Sequence, residues 1–280
     1  MPELPEVETI KTAVAKGIGC CRINDVIVRN QHLREEIPAD LVVRIKGAGI
    51  SGYQRIAKYI VIRLDNGYSL LWHMGMSGKV KLLDSLPAEL EKHDHVIIKT
   101  GNGVIIYNDP RRFGLLTYCK TNELMQHHLL RRCGVDPFNS ALDADYLFGR
   151  LQKKKKTPIK QALLDQEVIA GIGNIYASEI LYESRILPQR PAGEVSLNEC
   201  AVLVEKTREV LQRAIDAGGS TLRDYKKPDG SLGYFQNMHC VYNKTGQKCP
   251  MCTCDIRKTG GIKKIVQGGR STFYCESLQK

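Results

Sequence analysis

The sequence predicts an α+β chain of more than one domain. One N-terminal helix precedes a sandwich or barrel of short strands, and a helical region leads on to a cysteine-bearing C-terminal segment. Three observations carry this. At 280 residues the chain exceeds what one hydrophobic core normally supports, so two or three units are expected. Between Arg22 and about Tyr118 the apolar residues come in short runs: DVIVRN, KYIVIRL, YSLLWHM, and the pair DHVIIKT and VIIYND across Gly101-Asn102-Gly103. Runs of that length between turn residues are strands and hairpins. From Asn122 onward the spacing is helical, with breaks near 134–137 and 187–193.

In chain order, the first element is a helix. Pro5 suits its first turn, Glu6 and Glu8 suit its positive end, and Val7, Ile10 and Val14 recur on one face. That helix anchors the residues before it. Once the initiator Met1 is removed, Pro2 is a free secondary amine beside the acid Glu3. A secondary amine attacks an aldehyde-level carbon to give a cationic iminium, which is covalent catalysis. An α-amino group also titrates well below a lysine, so a useful fraction is uncharged at neutral pH. Further along, Ser196 and Glu199 form a capping box for a long helix that ends at Gly218 and Gly219. A polar connector after Asp224 leads to the last cysteines, and no internal repeat or low-complexity tract stands out.

Lys plus Arg number 41 against 30 Asp plus Glu, a net charge of +11. Such a balance suits a polyanion, either nucleic acid or an acidic membrane. No stretch approaches the roughly 20 apolar residues of a membrane span, and an N-terminus carrying Glu3, Glu6 and Glu8 is no signal peptide. The expectation is a cytoplasmic protein. Ten cysteines in such a chain argue for reduced thiols and a metal rather than disulfides.

Read together, PELPEVET at the start, DPRRFG at 109–114 and GIGNIYASEIL at 171–181 resemble the bacterial formamidopyrimidine-DNA glycosylases, and the resemblance runs end to end. It implies a β-sandwich with an N-terminal helix over 1–125, a helix-two-turn-helix DNA-binding domain over 126–234 and a zinc-ribbon-like β-hairpin over 235–280. The implied activity is excision of 8-oxoguanine and ring-opened formamidopyrimidines from damaged double-stranded DNA, followed by β- and δ-elimination at the abasic site. By the same resemblance Pro2 displaces the base and holds the sugar as an iminium, with Glu3 as the assisting acid. The partner is DNA, with no membrane, and the working form a monomer.

A base inside a duplex is unreachable, so such an enzyme extrudes it and fills the gap. Met76 in HMGMSG, with Arg111 and Phe113 in DPRRFG, match the family's void-filling residues. Met and Phe replace lost stacking, while a guanidinium offers donors to an orphaned cytosine. Lys58, in QRIAKYIV on an alternating strand, corresponds to a lysine that binds phosphate and assists elimination. His93, Lys155 in the run 153–156, and Lys160 in PIKQALLD fall on DNA-contact positions. Asn174 is expected to cap the second helix of the two-turn motif and to form a phosphate seat there. The 219–225 loop falls where the family closes over the everted base.

Cys249, Cys252 and Cys275 fall on three positions of the family's zinc ribbon, but the fourth is Leu278, which cannot ligate Zn2+. Three arrangements stay open. Cys254, Cys240 or His239 substitutes, the zinc keeps three thiolates and a water, or the hairpin folds without metal. Arg270, in GGRSTFYC, matches the arginine at the hairpin tip that grips phosphates around the lesion and assists δ-elimination. Two other readings are an endonuclease VIII type enzyme for oxidised pyrimidines and a DNA-binding protein without catalysis. PELPEVET, Arg111 and Phe113 favour the purine enzyme, and binding alone does not require an N-terminal secondary amine.

Overall fold

The computed structural model describes residues 1–220 and 233–280. Their backbone falls into two compact units, one of residues 1–131 and 214–236 and one of residues 132–213 and 237–280. The stretch expected as one helical domain over 126–234 therefore contributes to both units, because the chain returns to the first at the end of its longest helix. Residues 221–225 of the expected base-closing loop lie outside the described residues.

The first unit opens with α1 (Leu4–Ile18). Its N-terminus is closed by a reciprocal capping box of two acids three apart: the Glu3 carboxylate accepts the Glu6 N–H, and the Glu6 side chain accepts the Glu3 N–H. β1 (Ile23–Val28), the short α2 (Leu41–Ile45), β2 (Ile50–Ile56), β3 (Tyr59–Leu64), β4 (Tyr68–His73), β5 (Lys79–Leu83), β6 (Asp94–Thr100), β7 (Gly103–Asn108) and β8 (Leu115–Lys120) follow. They form two antiparallel sheets, β1-β6-β7-β5 and β2-β3-β4-β8. One apolar cluster draws on both sheets and on the Val7, Ile10, Val14 face of α1. Trp72 of β4 meets Tyr107 of β7 edge-on at 5.2 Å inside it. A second cluster of Ile97, Val104 and Ile106 covers the opposite face of β6 and β7. Burial on both faces explains why these two strands read as unbroken apolar runs.

The second unit holds α3 (Ala144–Gln152), α4 (Ile159–Leu164), α5 (Asn174–Glu183) and most of α6 (Leu197–Asp216). The Ser196–Glu199 box caps α6 as expected, and Arg190 also clamps the Glu199 carboxylate. Between α4 and α5 the two turns are pinned by one side chain: Gln166 donates to the Leu164 and Ile172 carbonyls and accepts the Gly171 N–H. A one-turn helix, α7 (Ile256–Thr259), precedes the hairpin of β9 (Lys263–Gln267) and β10 (Arg270–Tyr274). Its two-residue loop, Gly268-Gly269, has φ of 53° and 73°, the left-handed pair that a tight hairpin demands.

Candidate functional site

The α1 capping box fixes the N-terminal residues. Pro2 and Glu3 are buried, while Met1 is exposed. Glu6 reaches further than a capping role requires: one carboxylate oxygen takes the Glu3 N–H at 2.8 Å and the other takes the Ser220 N–H, also at 2.8 Å. The sequence flagged Glu6 only as a dipole partner, and an acceptor for a group 214 residues away leaves no local signal.

Lys58 is not on a strand. It occupies the two-residue turn between β2 and β3, after Ala57 at φ 52°, and it is 6% exposed. Arg55 sets this turn against α1, with Nε on the Glu8 carboxylate at 2.9 Å and a guanidinium N–H on the Ala57 carbonyl. Sequence reading missed Arg55, because a basic residue on a strand has no pattern of its own.

The buried His73 reports the charge in this region. Burial first, then Arg34, Lys58 and the amino terminus, hold its pKa down to about 4, and its Nδ1 accepts the Gly75 N–H at 3.0 Å. The folded pKa lies below the unfolded one, so the stabilisation is complete above pH ~6.5 and is lost as pH falls toward 4. Between pH 7 and pH 5 the protein is expected to lose about 2 kcal/mol more stability than His73→Gln. Urea unfolding at the two pH values measures this, and equal losses would contradict a neutral imidazole.

The loops after β4 and β7 are locked to each other. Asp109, 0% exposed, accepts from Ser77 Oγ at 2.5 Å, from Tyr107 OH at 3.1 Å and from Gly114 N at 2.8 Å. The Arg111 N–H donates to Ser77 Oγ. Gly75, at φ 63°, lies so close to the Phe113 backbone that an added Cβ would fall 2.3 Å from its carbonyl carbon. Thus Met76, 37% exposed, and Phe113, 44% exposed, stand on rigid loops, with the Arg111 guanidinium 4.9 Å from the Phe113 ring centre. His93 is tied to the start of the second loop: its carbonyl accepts the Asp109 N–H, and its ring is 6.0 Å from His95. Asp109 stands inside the quoted motif, yet its anchoring role needs Ser77 and Tyr107 beside it in space.

In the second unit Lys155 is exposed. Lys160 is 0% exposed and donates to Asn174 Oδ1 at 2.7 Å, the Ser271 carbonyl at 3.0 Å and Thr272 Oγ1 at 2.8 Å. The amide of Asn174 donates to the Ser271 carbonyl and Tyr242 OH. Asn174 does not cap α5. Gly173 is the cap, and Asn174 begins the helix with its side chain turned to Lys160 and β10. Lys160 and Asn174 together join the two-turn motif to the strand beginning at Arg270, which is exposed at the hairpin tip. Glu179, buried on α5, accepts the N–H groups of Cys240, Val241 and Tyr242 at 2.7, 3.0 and 2.7 Å, another long-range role without a sequence signal.

Among the described residues, one cluster of thiols suits a metal: the sulfurs of Cys249, Cys252 and Cys275 lie within 4.8 Å of one another. Cys252 and Cys275 are 3.7 Å apart, and Cys254 Sγ lies 2.6 Å from Cys252 Sγ. Tyr182 OH contacts Cys249 Sγ at 3.1 Å. Leu278 packs against the same group. No helix of the described residues is long and apolar enough to cross a membrane.

Comparison with known proteins agrees with this geometry. Residues 1–116 match the formamidopyrimidine-DNA glycosylase N-terminal domain, and residues 133–226 match the H2TH domain of the same enzymes. The chain is 45% identical over 282 residues to the formamidopyrimidine-DNA glycosylase of Rhodospirillum rubrum and 43% identical over 291 residues to that of Dinoroseobacter shibae, covering 100% of both chains in each case. Among solved structures, a mutant Lactococcus lactis protein in complex with Fapy-dG-containing DNA superimposes with a TM-score of 0.89 at 33% identity, covering 100% of both chains. The MutM protein of Thermus thermophilus gives 0.87 at 33% identity, over 99% of this chain and 98% of that one.

Proposed function

The chain belongs to the formamidopyrimidine-DNA glycosylase family, and from that premise we propose how its own residues excise a damaged base. Its activity is that of a DNA glycosylase for oxidised purines that also cleaves the abasic site. In the proposed sequence the Pro2 nitrogen bonds to the sugar C1′ as the glycosidic bond breaks; the base leaves with the bonding pair and takes up the proton that the amine releases. Glu3 protonates the ring oxygen as the sugar opens and the iminium forms. The iminium then acidifies the neighbouring sugar proton, so that loss of the 3′ phosphate, and then the 5′ phosphate, follows from the same amine. Lys58 and Arg270 hold the departing phosphates. Met76, Arg111 and Phe113 occupy the gap left by the everted base, His93 and Lys155 contact the DNA backbone, and the buried Lys160, together with Asn174, serves it by holding the strand that presents Arg270. We read the working form as a cytoplasmic monomer on duplex DNA. The observation that carries this reading is the buried Pro2–Glu3 pair at the end of a helix whose cap depends on Glu3 itself.

The test is borohydride trapping on duplexes carrying 8-oxoguanine opposite each base. A covalent adduct is expected, strongest opposite cytosine. Arg111→Ala is expected to reduce the preference for cytosine over adenine by roughly tenfold, the worth of one well-formed contact to a base edge. Preserved discrimination would remove Arg111 from that role. Adducts confined to oxidised pyrimidines would favour the endonuclease VIII reading, and none on any lesion would favour simple DNA binding.

The Cys249, Cys252 and Cys275 cluster fits Zn2+. Thiolates about 2.3 Å from a tetrahedral ion stand roughly 3.8 Å apart, and the Cys252–Cys275 separation is 3.7 Å. When bound, the ion contributes folding energy and takes no part in bond cleavage. The three thiolates tie the segment around 249–252 to the end of β10, and so steady the hairpin that presents Arg270.

A further inference from the structure

We propose that Cys254 supplies the fourth thiolate of this metal site, in place of Leu278. This rests on the zinc reading of the three-cysteine cluster. Leu278 has no donor atom and contributes an apolar wall. Cys254 stands at the Cys252 corner of the cluster, sulfur to sulfur at 2.6 Å, and both are free thiols. The segment 252–255 carries no helix, and its burial alternates: Cys252 and Cys254 are half-buried, while Thr253 and Asp255 are exposed. In an extended stretch, side chains two apart share a face, so Cys252 and Cys254 present both sulfurs to one side.

Ligation requires Cys254 Sγ, which stands outside the 4.8 Å group, to swing away from Cys252 by roughly 1 Å and toward the other two sulfurs. The swing is cheap, because the segment is flanked by exposed residues and followed by a one-turn helix whose cap is made by the Asp255 side chain, not by Cys254. The other sulfur in reach of sequence reasoning, Cys240, has its N–H held by Glu179. His239 is buried with its ring edge-on to Tyr242 at 5.6 Å. Cys254, like Cys240 and His239, lies outside the three-sulfur group, but its sulfur already touches one member of that group.

The experiment uses the full chain, purified under reductant, for zinc analysis and for substitution with Co2+, whose near-ultraviolet sulfur charge-transfer absorption scales with the number of bound thiolates. The parent is expected to hold one zinc per chain. Cys254→Ser is expected to lose about a quarter of the cobalt charge-transfer intensity and to release zinc to a chelator about tenfold faster. Cys254→Ser combined with Leu278→Cys is expected to restore both, which separates ligation from misfolding. An unchanged cobalt spectrum in Cys254→Ser, or a loss seen with Cys240→Ser instead, would overturn the assignment while leaving the zinc reading intact. A parent free of metal, its thiols reduced or paired, would overturn both.

Discussion

Protein that keeps Met1 is expected to release 8-oxoguanine and to form the borohydride-trapped adduct at no more than about one hundredth of the rate of processed protein. With Met1 in place the Pro2 nitrogen is an amide, and the nearest free amine sits about 3.8 Å further along the chain. A displacement of about 1 Å at a reacting group already costs on the order of a hundredfold. Pro2→Gln, whose bulk hinders methionine removal, tests the blocked terminus. Pro2→Gly, which is processed, tests the secondary amine itself and is expected to lower base release and nicking together, since both run through one nitrogen in the proposed mechanism. Mass spectrometry of the terminus must accompany single-turnover rates. Full activity with Met1 demonstrably present would remove Pro2 from the mechanism.

Asp109→Ala is expected to cost about 3–5 kcal/mol of stability and to abolish opposite-base discrimination without touching Arg111. The substitution strands donors from Ser77, Tyr107 and Gly114 in a site with no solvent access, and an orphaned buried polar group costs about 1–3 kcal/mol. Asp109→Asn should fall between, because its amide retains one acceptor oxygen but turns new N–H groups toward existing donors. Urea unfolding and trapping on cytosine- and adenine-paired lesions measure the two effects. A variant within about 0.5 kcal/mol of the parent would show that the loops after β4 and β7 do not depend on this carboxylate.

Much of this architecture was readable because its signals are local. The α1 helix is announced by Pro5 and the acids around it, and β6 and β7 by apolar runs about a Gly-Asn-Gly turn. The α6 cap follows from Ser196 and Glu199 standing three apart. The functional motifs were equally legible, each being a short contiguous string. What escaped is long-range. Lys58 reads as a strand residue because Ala57 takes a left-handed conformation without the glycine or asparagine that usually marks one. Asn174 reads as a cap, yet its side chain is claimed by Lys160 and the Ser271 carbonyl, from elements 14 and 97 residues away. Arg55, Asp109 and Glu179 each satisfy partners that no window of sequence displays together. The return of 214–236 to the first unit is likewise a matter of packing, since α6 runs through the boundary without a break.

The two oxygens of Glu6 connect the start of α1 to Ser220, the last described residue before position 221. Because one rigid planar group accepts both N–H bonds, the two backbones are held in fixed register. A loss of the Ser220 contact would remove one of the bonds that orient the carboxylate gripping Glu3. The arrangement of the N-terminal residues and the posture of the chain at Ser220 are thus thermodynamically linked, so a ligand that favours one arrangement there also favours the matching arrangement at the proposed nucleophile.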